Sequence, residues 1–434
     1  MPNNWEWVRI KTACVINPRN SIDDNTEVSF VPMANIKEGY ANKFISDIRV
    51  WKKVKKGYTH FANNDIGIAK ITPCFENKKS VVFSSLINGY GAGTTELYIL
   101  RTISSLVIPE YLLNFVKRDD FIAGGVLTFS GDVGQQRVTK DYVANYLFTL
   151  PPLNEQQRIL NAVHTATSLI ESIEKANDNL IRDIDKTKAK ILDLAIRGKL
   201  VAQDPNDEPA SVLLERIRAE KEELIKQGKI KRDKKESVIF KGDDNSYYQD
   251  LPSNWIKIRL STISEIITKG TTPRGGKVAY SQSGIGFLRA ENIAGYDKLD
   301  LSNLNYIDEE SHNNYLKRSI LKENDILITI AGTLGRTAIV TQQALPLNTN
   351  QAVAIVRLVN NRLINVKYLV YALNSPIIKS DLLAKSVDMA IPNLSLENIA
   401  DCNISLPPLS EQKRIVEAIE KIFAVLDDIA NQVA

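Results

Sequence analysis

Residues 150–160 read LPPLNEQQRIL, and residues 406–416 read LPPLSEQKRIV. Both prolines, the Glu-Gln pair, the Arg and the apolar frame recur. The likeness also reaches the front of each copy, where PNNWEWVRI (2–10) aligns with PSNWIKIRL (252–260). The offset is 250 residues at the front (Trp5 to Trp255) and 256 at the back (Leu150 to Leu406). A period of that length is far too long for a solenoid repeat. The chain therefore reads as two copies of one domain, each followed by a helical attachment.

Composition sets the outer limits. A chain of 434 residues that is 44% hydrophobic and 24% charged can support two or three cores and is not a disordered polymer. The net charge of +4 permits nucleic acid as a partner without requiring it. Cys14, Cys74 and Cys402 stand apart, with neither disulfide nor CxxC spacing, as suits a reducing cytoplasm. MPNNWEWVRI has no basic and apolar leader pattern, and no stretch approaches about 18 apolar residues. A cytoplasmic location is expected.

Between the matched ends the copies diverge. DIGIAKITPCFENKKSVVF (65–83) stands opposite DILITIAGTLGRTAIV (325–340). Both open Asp-Ile and continue as half-buried strands would. A retained frame with changed surface chemistry suits two readers built on one scaffold; drift after duplication is the alternative.

After each LPPL phrase the period becomes helical. The prolines keep the preceding chain extended, and Asn154 or Ser410 can cap the helix that comes after. The first helix is expected from about Glu155 to Arg197, with Gly198 as its stop. Its seam is Ile159, Val163, Ala166, Ile170, Ile173, Asn177, Leu180, Ile184, Thr187, Ile191 and Leu194, a heptad pattern. The second copy repeats it with Ile415, Ile419, Ile422, Leu426, Ile429 and Val433. Two such seams should pair antiparallel, and part of the longer one needs a further partner. Residues 209–228 predict another helix. The basic run KIKRDKKE (229–236) reads as a solvated linker or as a phosphate-contacting segment.

Catalytic motifs are scarce. There is no GxxxxGK[ST] and no GxGxxG, and His60, His164 and His312 lack ligand spacing. Asp65 followed by Glu76-Asn77-Lys78 has the layout of a metal-dependent nuclease, but the second copy keeps only Asp325. No catalytic residue and no metal ligand are assigned.

The doubled LPPL[NS]EQ[QK]RI, the two in-register seams and the central IRGKLVAQDPNDEPASVLLERIRAEKEELIKQGKIKRDKK together closely resemble the specificity subunit of Type I restriction–modification systems, over essentially the whole chain. The resemblance implies an α+β fold with two target recognition domains in a pseudo-two-fold repeat, joined by long antiparallel coiled-coil helices. Residues 1–150 and 251–405 would be the recognition domains, 151–250 the central helical region with its linker, and 406–434 the C-terminal helical region. It implies a non-catalytic DNA-recognition subunit that reads a bipartite, gapped site in double-stranded DNA and docks two methyltransferase subunits and restriction/translocase subunits. No cofactor is expected in this chain; S-adenosylmethionine, ATP and Mg would belong to the partners. The C-terminal region is short for this family, which leaves docking of the second methyltransferase open. A strut of roughly 65 Å could carry two readers to major grooves about a helical turn of DNA apart.

Base readout draws on Arg or Lys toward guanine, Asn or Gln toward adenine, and Thr or Ser toward either. In the first domain the polar loops GYGAGTTEL (89–97) and SGDVGQQRV (130–138) offer Thr94, Thr95, Gln135, Gln136 and Arg137, with Lys70, Thr72 and Lys78 nearby in sequence. In the second domain the candidates are Lys269, Thr272 and Arg274 (268–277), Arg289 and Asn292 (288–292), Thr333 and Arg336 (331–337), and Asn348, Asn350 and Gln351 (348–351). Each could equally be a solvated turn. Two other function classes remain open: a coiled-coil scaffold with two non-DNA ligand domains, and an autonomous Mg-dependent nuclease using Asp65 and Glu76.

Overall fold

The computed structural model describes residues 2–103, 105–132, 135–232, 251–273, 280–281, 283–384 and 393–433. It divides into two compact units, Met1–Glu174 and Lys175–Ala434.

The first unit carries β1 (Glu6–Arg9), α1 (Ile10–Ala13), β2 (Cys14–Ile16), β3 (Glu27–Val31), β4 (Asp47–Val50), α2 (Trp51–Val54), β5 (Thr59–Ala62), β6 (Ile66–Ala69), β7 (Ser80–Val82), β8 (Tyr90–Gly93), β9 (Leu97–Thr102), α3 (Pro109–Val116), α4 (Asp119–Val126), α5 (Lys140–Asn145) and β10 (Leu147–Leu150). Its sheets have the orders β2-β9-β6-β7 and β4-β3-β8-β5, with a two-stranded pair β1-β10. Between the two larger sheets the rings of Phe61 and Phe83 stack at 3.7 Å. Gly91 makes this possible: a Cβ there would lie 2.2 Å from the Phe61 ring. On the other side of β6 and β9, Ile66, Ile68 and Leu100 join Leu112, Leu113, Phe115 and Phe121 of α3 and α4 in one apolar core.

Helix α6 (Leu153–Ile196) begins in the first unit and ends in the second. Its 44 residues give a rod of about 66 Å. It starts directly after the two prolines, so Asn154 lies inside its first turn and is no cap. It ends where Gly198 takes a left-handed φ of +66°.

The second unit continues with α7 (Ala210–Lys226), β11 (Ile256–Arg259), α8 (Leu260–Ile263), β12 (Ser264–Lys269), β13 (Ile285–Leu288), β14 (Ile293–Gly295), β15 (Lys298–Leu299), β16 (Asn305–Ile307), α9 (Glu309–Asn313), β17 (Ile326–Thr329), β18 (Thr337–Ile339), β19 (Leu347–Thr349), β20 (Val353–Leu358), α10 (Val366–Asn374), α11 (Pro376–Ala384), α12 (Leu396–Ala400), β21 (Asn403–Leu406) and α13 (Leu409–Val433). The order β12-β20-β17-β18 repeats β2-β9-β6-β7 strand for strand, and β11-β21 repeats β1-β10. The parallel pair β13-β19 repeats β3-β8.

The conserved phrases have structural work in both copies. Gln156 and Gln412 are fully buried. Gln156 accepts from the Ile108 N–H at 2.9 Å and donates to the Pro151 carbonyl at 2.9 Å. Gln412 accepts from the Asn365 N–H at 2.9 Å and donates to the Pro407 carbonyl at 2.9 Å. Each glutamine clips the proline turn to a loop that starts a helix of the globular part. The Asp-Ile repeat is likewise a fold device. Asp65 receives Arg101 Nε and Nη2 at 2.8 and 2.7 Å, and Asp325 receives Arg357 Nε and Nη2 at 2.7 and 2.6 Å.

The helical seam is only partly closed. Within the second unit Ile191, Leu192, Ala195 and Ile196 pack with Ile415, Val416, Ile419 and Phe423, and Ile184 is buried as well. Asn177 donates to the Val433 carbonyl at 3.3 Å and Lys188 pairs with Asp427, so the two segments run antiparallel. By contrast, Val163, Leu169, Ile170, Ile173, Leu180 and Ile181 are exposed. The seam expected along the whole helix is buried only at its ends.

Candidate nucleic-acid interface

In the first unit β6 runs into Lys70, whose N–H donates to the Glu96 carbonyl at 3.0 Å, while its carbonyl accepts from Val138 at 2.9 Å. Thr72 donates its N–H to the Gln136 carbonyl at 2.9 Å. These bonds bring together two loops that lie about 40 residues apart in sequence. Lys70, Thr72, Thr94, Thr95, Gln135, Gln136 and Arg137 thus share one face. At its centre Arg137 and Glu96 form a bidentate pair, with Nε to Oε2 at 2.8 Å and Nη2 to Oε1 at 2.9 Å. The Arg137 hydrogen bonds hold the Glu96 carboxyl below the usual carboxylate range. The pairing fixes the Arg137 fork in place. Thr95 and Gln135 are exposed, Thr94 and Gln136 half-buried. Lys70 rests over the Tyr98 ring at 5.4 Å.

Lys78 is placed differently. Its ammonium donates to Asp119 Oδ1 at 2.5 Å and to the Tyr40 hydroxyl at 2.7 Å, so it ties a loop to the start of α4. This also removes the nuclease arrangement: Asp65 is buried against Arg101 and Lys78 is held by Asp119. Among the described residues no group of His, Cys, Asp and Glu could hold a metal ion.

In the second unit three segments converge. Gly270 donates to the Val353 carbonyl at 3.0 Å, Thr271 to the Thr349 carbonyl at 3.1 Å, and Asn350 to the Leu288 carbonyl at 3.1 Å. A Cβ on Gly270 would stand 2.1 Å from two carbonyl oxygens, so only glycine permits this approach. Thr272 Oγ1 donates to Gln351 Oε1 at 2.7 Å. Lys269, Thr272, Asn350 and Gln351 therefore lie together, with Arg289 beside them. Arg289 leans on Glu291, and its buried Nε has no partner among the described residues. The hairpin bearing Thr333 and Arg336 starts next to this cluster, because Ile330 donates to the Ala352 carbonyl at 2.8 Å. Thr333 is exposed and Arg336 half-buried.

Two second-unit candidates are spent on the fold. Asn292 is buried and donates to the Asp300 and Asn303 carbonyls at 3.1 and 3.2 Å. Asn348 is buried, donates to the Leu316 carbonyl at 3.1 Å and meets His312 through its amide oxygen. Arg274 lies outside the described residues. One member of the cluster escaped the sequence reading. Arg318 Nη2 donates to Thr271 Oγ1 at 3.3 Å, and it is exposed. The only signal for it was a Lys-Arg pair in a turn, without the glycine flanks that marked the other loops.

The model of the Type I restriction modification DNA specificity domain matches residues 2–182 and again residues 252–433. The chain belongs to the Type I restriction–modification specificity subunits. It is 33% identical to the Type I restriction enzyme EcoEI specificity subunit of Escherichia coli, over all of this chain and 80% of that protein. It is also 33% identical to the EcoAI specificity subunit of Escherichia coli, over 98% of this chain and 78% of that one. Two solved structures share the fold over the full chain: one from work on complex assembly and conformational transition of the type I R-M system (TM-score 0.65, 18% identity, 93% of that chain) and the HsdS subunit of Thermoanaerobacter tengcongensis (TM-score 0.54, 17% identity, 93% of that chain). A specificity subunit is the non-catalytic DNA-recognition member of its system, so neither the nuclease nor the scaffold reading stands. No helix among the described residues is long and apolar enough to cross a membrane.

Proposed function

We propose that each globular part of this specificity subunit reads one half of a bipartite, gapped site in double-stranded DNA. The supporting observation is the duplicated sheet framework carrying two polar loop clusters of different chemistry. Residues 1–150 and 251–405 are then the target recognition domains, with 151–250 and 406–434 as the helical regions that fix the gap. The first reader uses Lys70, Thr72, Thr94, Thr95, Gln135, Gln136 and Arg137. The second uses Lys269, Thr272, Thr333, Arg336, Asn350 and Gln351, joined by Arg318 and Arg289. Most of these contacts fall on phosphates, which orient the readers while a few amides and guanidiniums meet base edges.

The exposed apolar residues of α6 are the docking stripe for methyltransferase subunits, with restriction/translocase subunits completing the assembly. Those partners carry the S-adenosylmethionine, ATP and Mg chemistry, and the complex works in the cytoplasm against foreign DNA. The test is a methylation map. The chain is expressed with its neighbouring methyltransferase subunit in a host without N6-methyladenine, and the DNA is sequenced. A two-part motif with a fixed gap, absent without this chain, is expected. Gln136→Ala should relax one half of the motif and Gln351→Ala the other. A motif that both variants alter in the same half would refute the assignment of one half-site to each unit.

A further inference from the structure

The doubling allows the base of one unit to be compared with the base of the other. In the second unit Trp255 is buried and its Nε1 donates to Glu411 Oε2 at 2.8 Å. Glu411 is fully buried, and Gln203 donates to its other oxygen. Arg414 makes a two-point pair with Asp207, at 2.6 and 3.2 Å. Gly198 lies against Pro252 and Trp255 so closely that a Cβ there would be 2.5 Å from the proline ring. Leu213, Leu214 and Ile217 of α7 share a core with Trp255, Ile258 and Leu406. Segment 198–217 is therefore what covers this base.

The first unit has the same base, and no described segment covers it in this way. Trp5, Glu155 and Arg158 stand at the positions of Trp255, Glu411 and Arg414. Trp5 Nε1 is buried with no hydrogen-bond partner among the described residues. Glu155 is half-buried, and among the described residues its carboxylate receives only a long 3.4 Å bond from Asn4. Arg158 is exposed, with no ion pair among the described residues. Leu150 and Val8 are half-buried where Leu406 and Ile258 are buried, and Trp7 is 57% exposed. The Glu155 carboxylate does not reach the indole N–H, as the Glu411 carboxylate does in the second unit.

We infer that the base of the first unit, formed by Trp5, Trp7, Glu155 and Arg158, docks a polypeptide segment of a partner chain built like residues 198–217. That segment brings a glycine turn over Trp5, an amide donor for Glu155, a carboxylate for Arg158 and an amphipathic helix behind them. The charge match is specific: an unpaired guanidinium on the base calls for an acid at the place Asp207 takes in the other copy. Burying Trp5 and Trp7 supplies the apolar contact.

The probe is a synthetic peptide of residues 196–218, titrated into the full chain and followed by calorimetry. One peptide per chain is expected. Arg158→Glu, an exposed position that the fold does not use, should weaken binding about tenfold or more, as loss of a charge-assisted pair does. A peptide carrying Asp207→Lys should restore binding to the Arg158→Glu chain. Because the second unit is unchanged in that variant, exchange of the peptide with the chain's own segment would not respond to it. Absence of saturable binding, or binding indifferent to Arg158→Glu, overturns the inference. So does concentration-dependent dimerisation abolished by Arg158→Glu, which would give the face to a second copy of the chain.

Discussion

Removing Asp325 should uncouple β17 from β20. The carboxylate is fully buried and accepts three hydrogen bonds: from Arg357 Nε at 2.7 Å, from Arg357 Nη2 at 2.6 Å and from the Lys322 N–H at 2.7 Å. Asp325→Ala leaves the Arg357 guanidinium without its counter-charge and the Lys322 N–H without an acceptor. Breaking a buried pair from one side costs about 3–5 kcal/mol. Arg357 keeps 18% side-chain exposure and a 3.3 Å bond to the Ile320 carbonyl, so the lower end applies. A loss of about 3 kcal/mol raises the local opening constant by about a hundredfold. Hydrogen exchange of the β17 and β20 amides, read by mass spectrometry, measures that opening directly. Replacing both partners, Asp325→Leu with Arg357→Met, removes the charges together and should stay within about 1 kcal/mol of the parent. Asp65→Ala is the parallel case. Arg101 is more exposed, at 33%, so the smaller penalty of an unmet charged hydrogen bond, about 2 kcal/mol, is expected in β6 and β9. Unchanged exchange in both single variants would refute the ion-pair argument.

Two further outcomes arise from buried polar groups. Gln412→Leu strips the Asn365 N–H of its acceptor at the start of α10, and about 1–3 kcal/mol should be lost there, seen as faster exchange at residues 365–368. Lys117 is buried and donates to the Gly39 and Ala41 carbonyls at 2.7 and 2.8 Å. Burial, with repulsion from Lys78 second, pushes its pKa down to about 8 from an ordinary 10.5. Below about 8 the amine is charged in both folded and unfolded chains. Between about 8 and 10.5 the unfolded chain keeps the proton that the folded one has lost, so stability of the first unit should rise with pH across that window. Denaturation midpoints at the two ends of the window should show this gain, and Lys117→Met should erase it; an equal gain in the variant would refute the assignment.

The duplication, the helix between the two copies and the family were legible in the sequence. A phrase such as LPPL[NS]EQ[QK]RI carries its own local physics: prolines that hold the chain extended, then a strong helical period. The Asp-Ile repeats were visible too, but their meaning was not. Asp65 finds Arg101 and Asp325 finds Arg357 only because β6 lies beside β9 and β17 beside β20. A strand neighbour more than 30 residues away leaves no mark on local spacing.

The two candidate loop clusters divide along the same line. Glycine-flanked amides and cations marked loops that the fold brings together, because backbone freedom and polar side chains are local properties. Which of them remain available was decided by packing. Asn292 and Asn348 resemble Asn350 in sequence, yet two of them are buried under carbonyls and one sits on the convergent face. Arg318 joins that face through Thr271, a partner 47 residues earlier. The heptad seam shows the limit most directly. Its period is continuous along α6, but burial needs a second surface, and α13 runs beside α6 only from Asn177 to its end at Ile196. The heptad spacing marks which residues can face a partner helix; the packing of the folded chain settles which of them have one, because burial belongs to pairs of surfaces and not to a single run of residues.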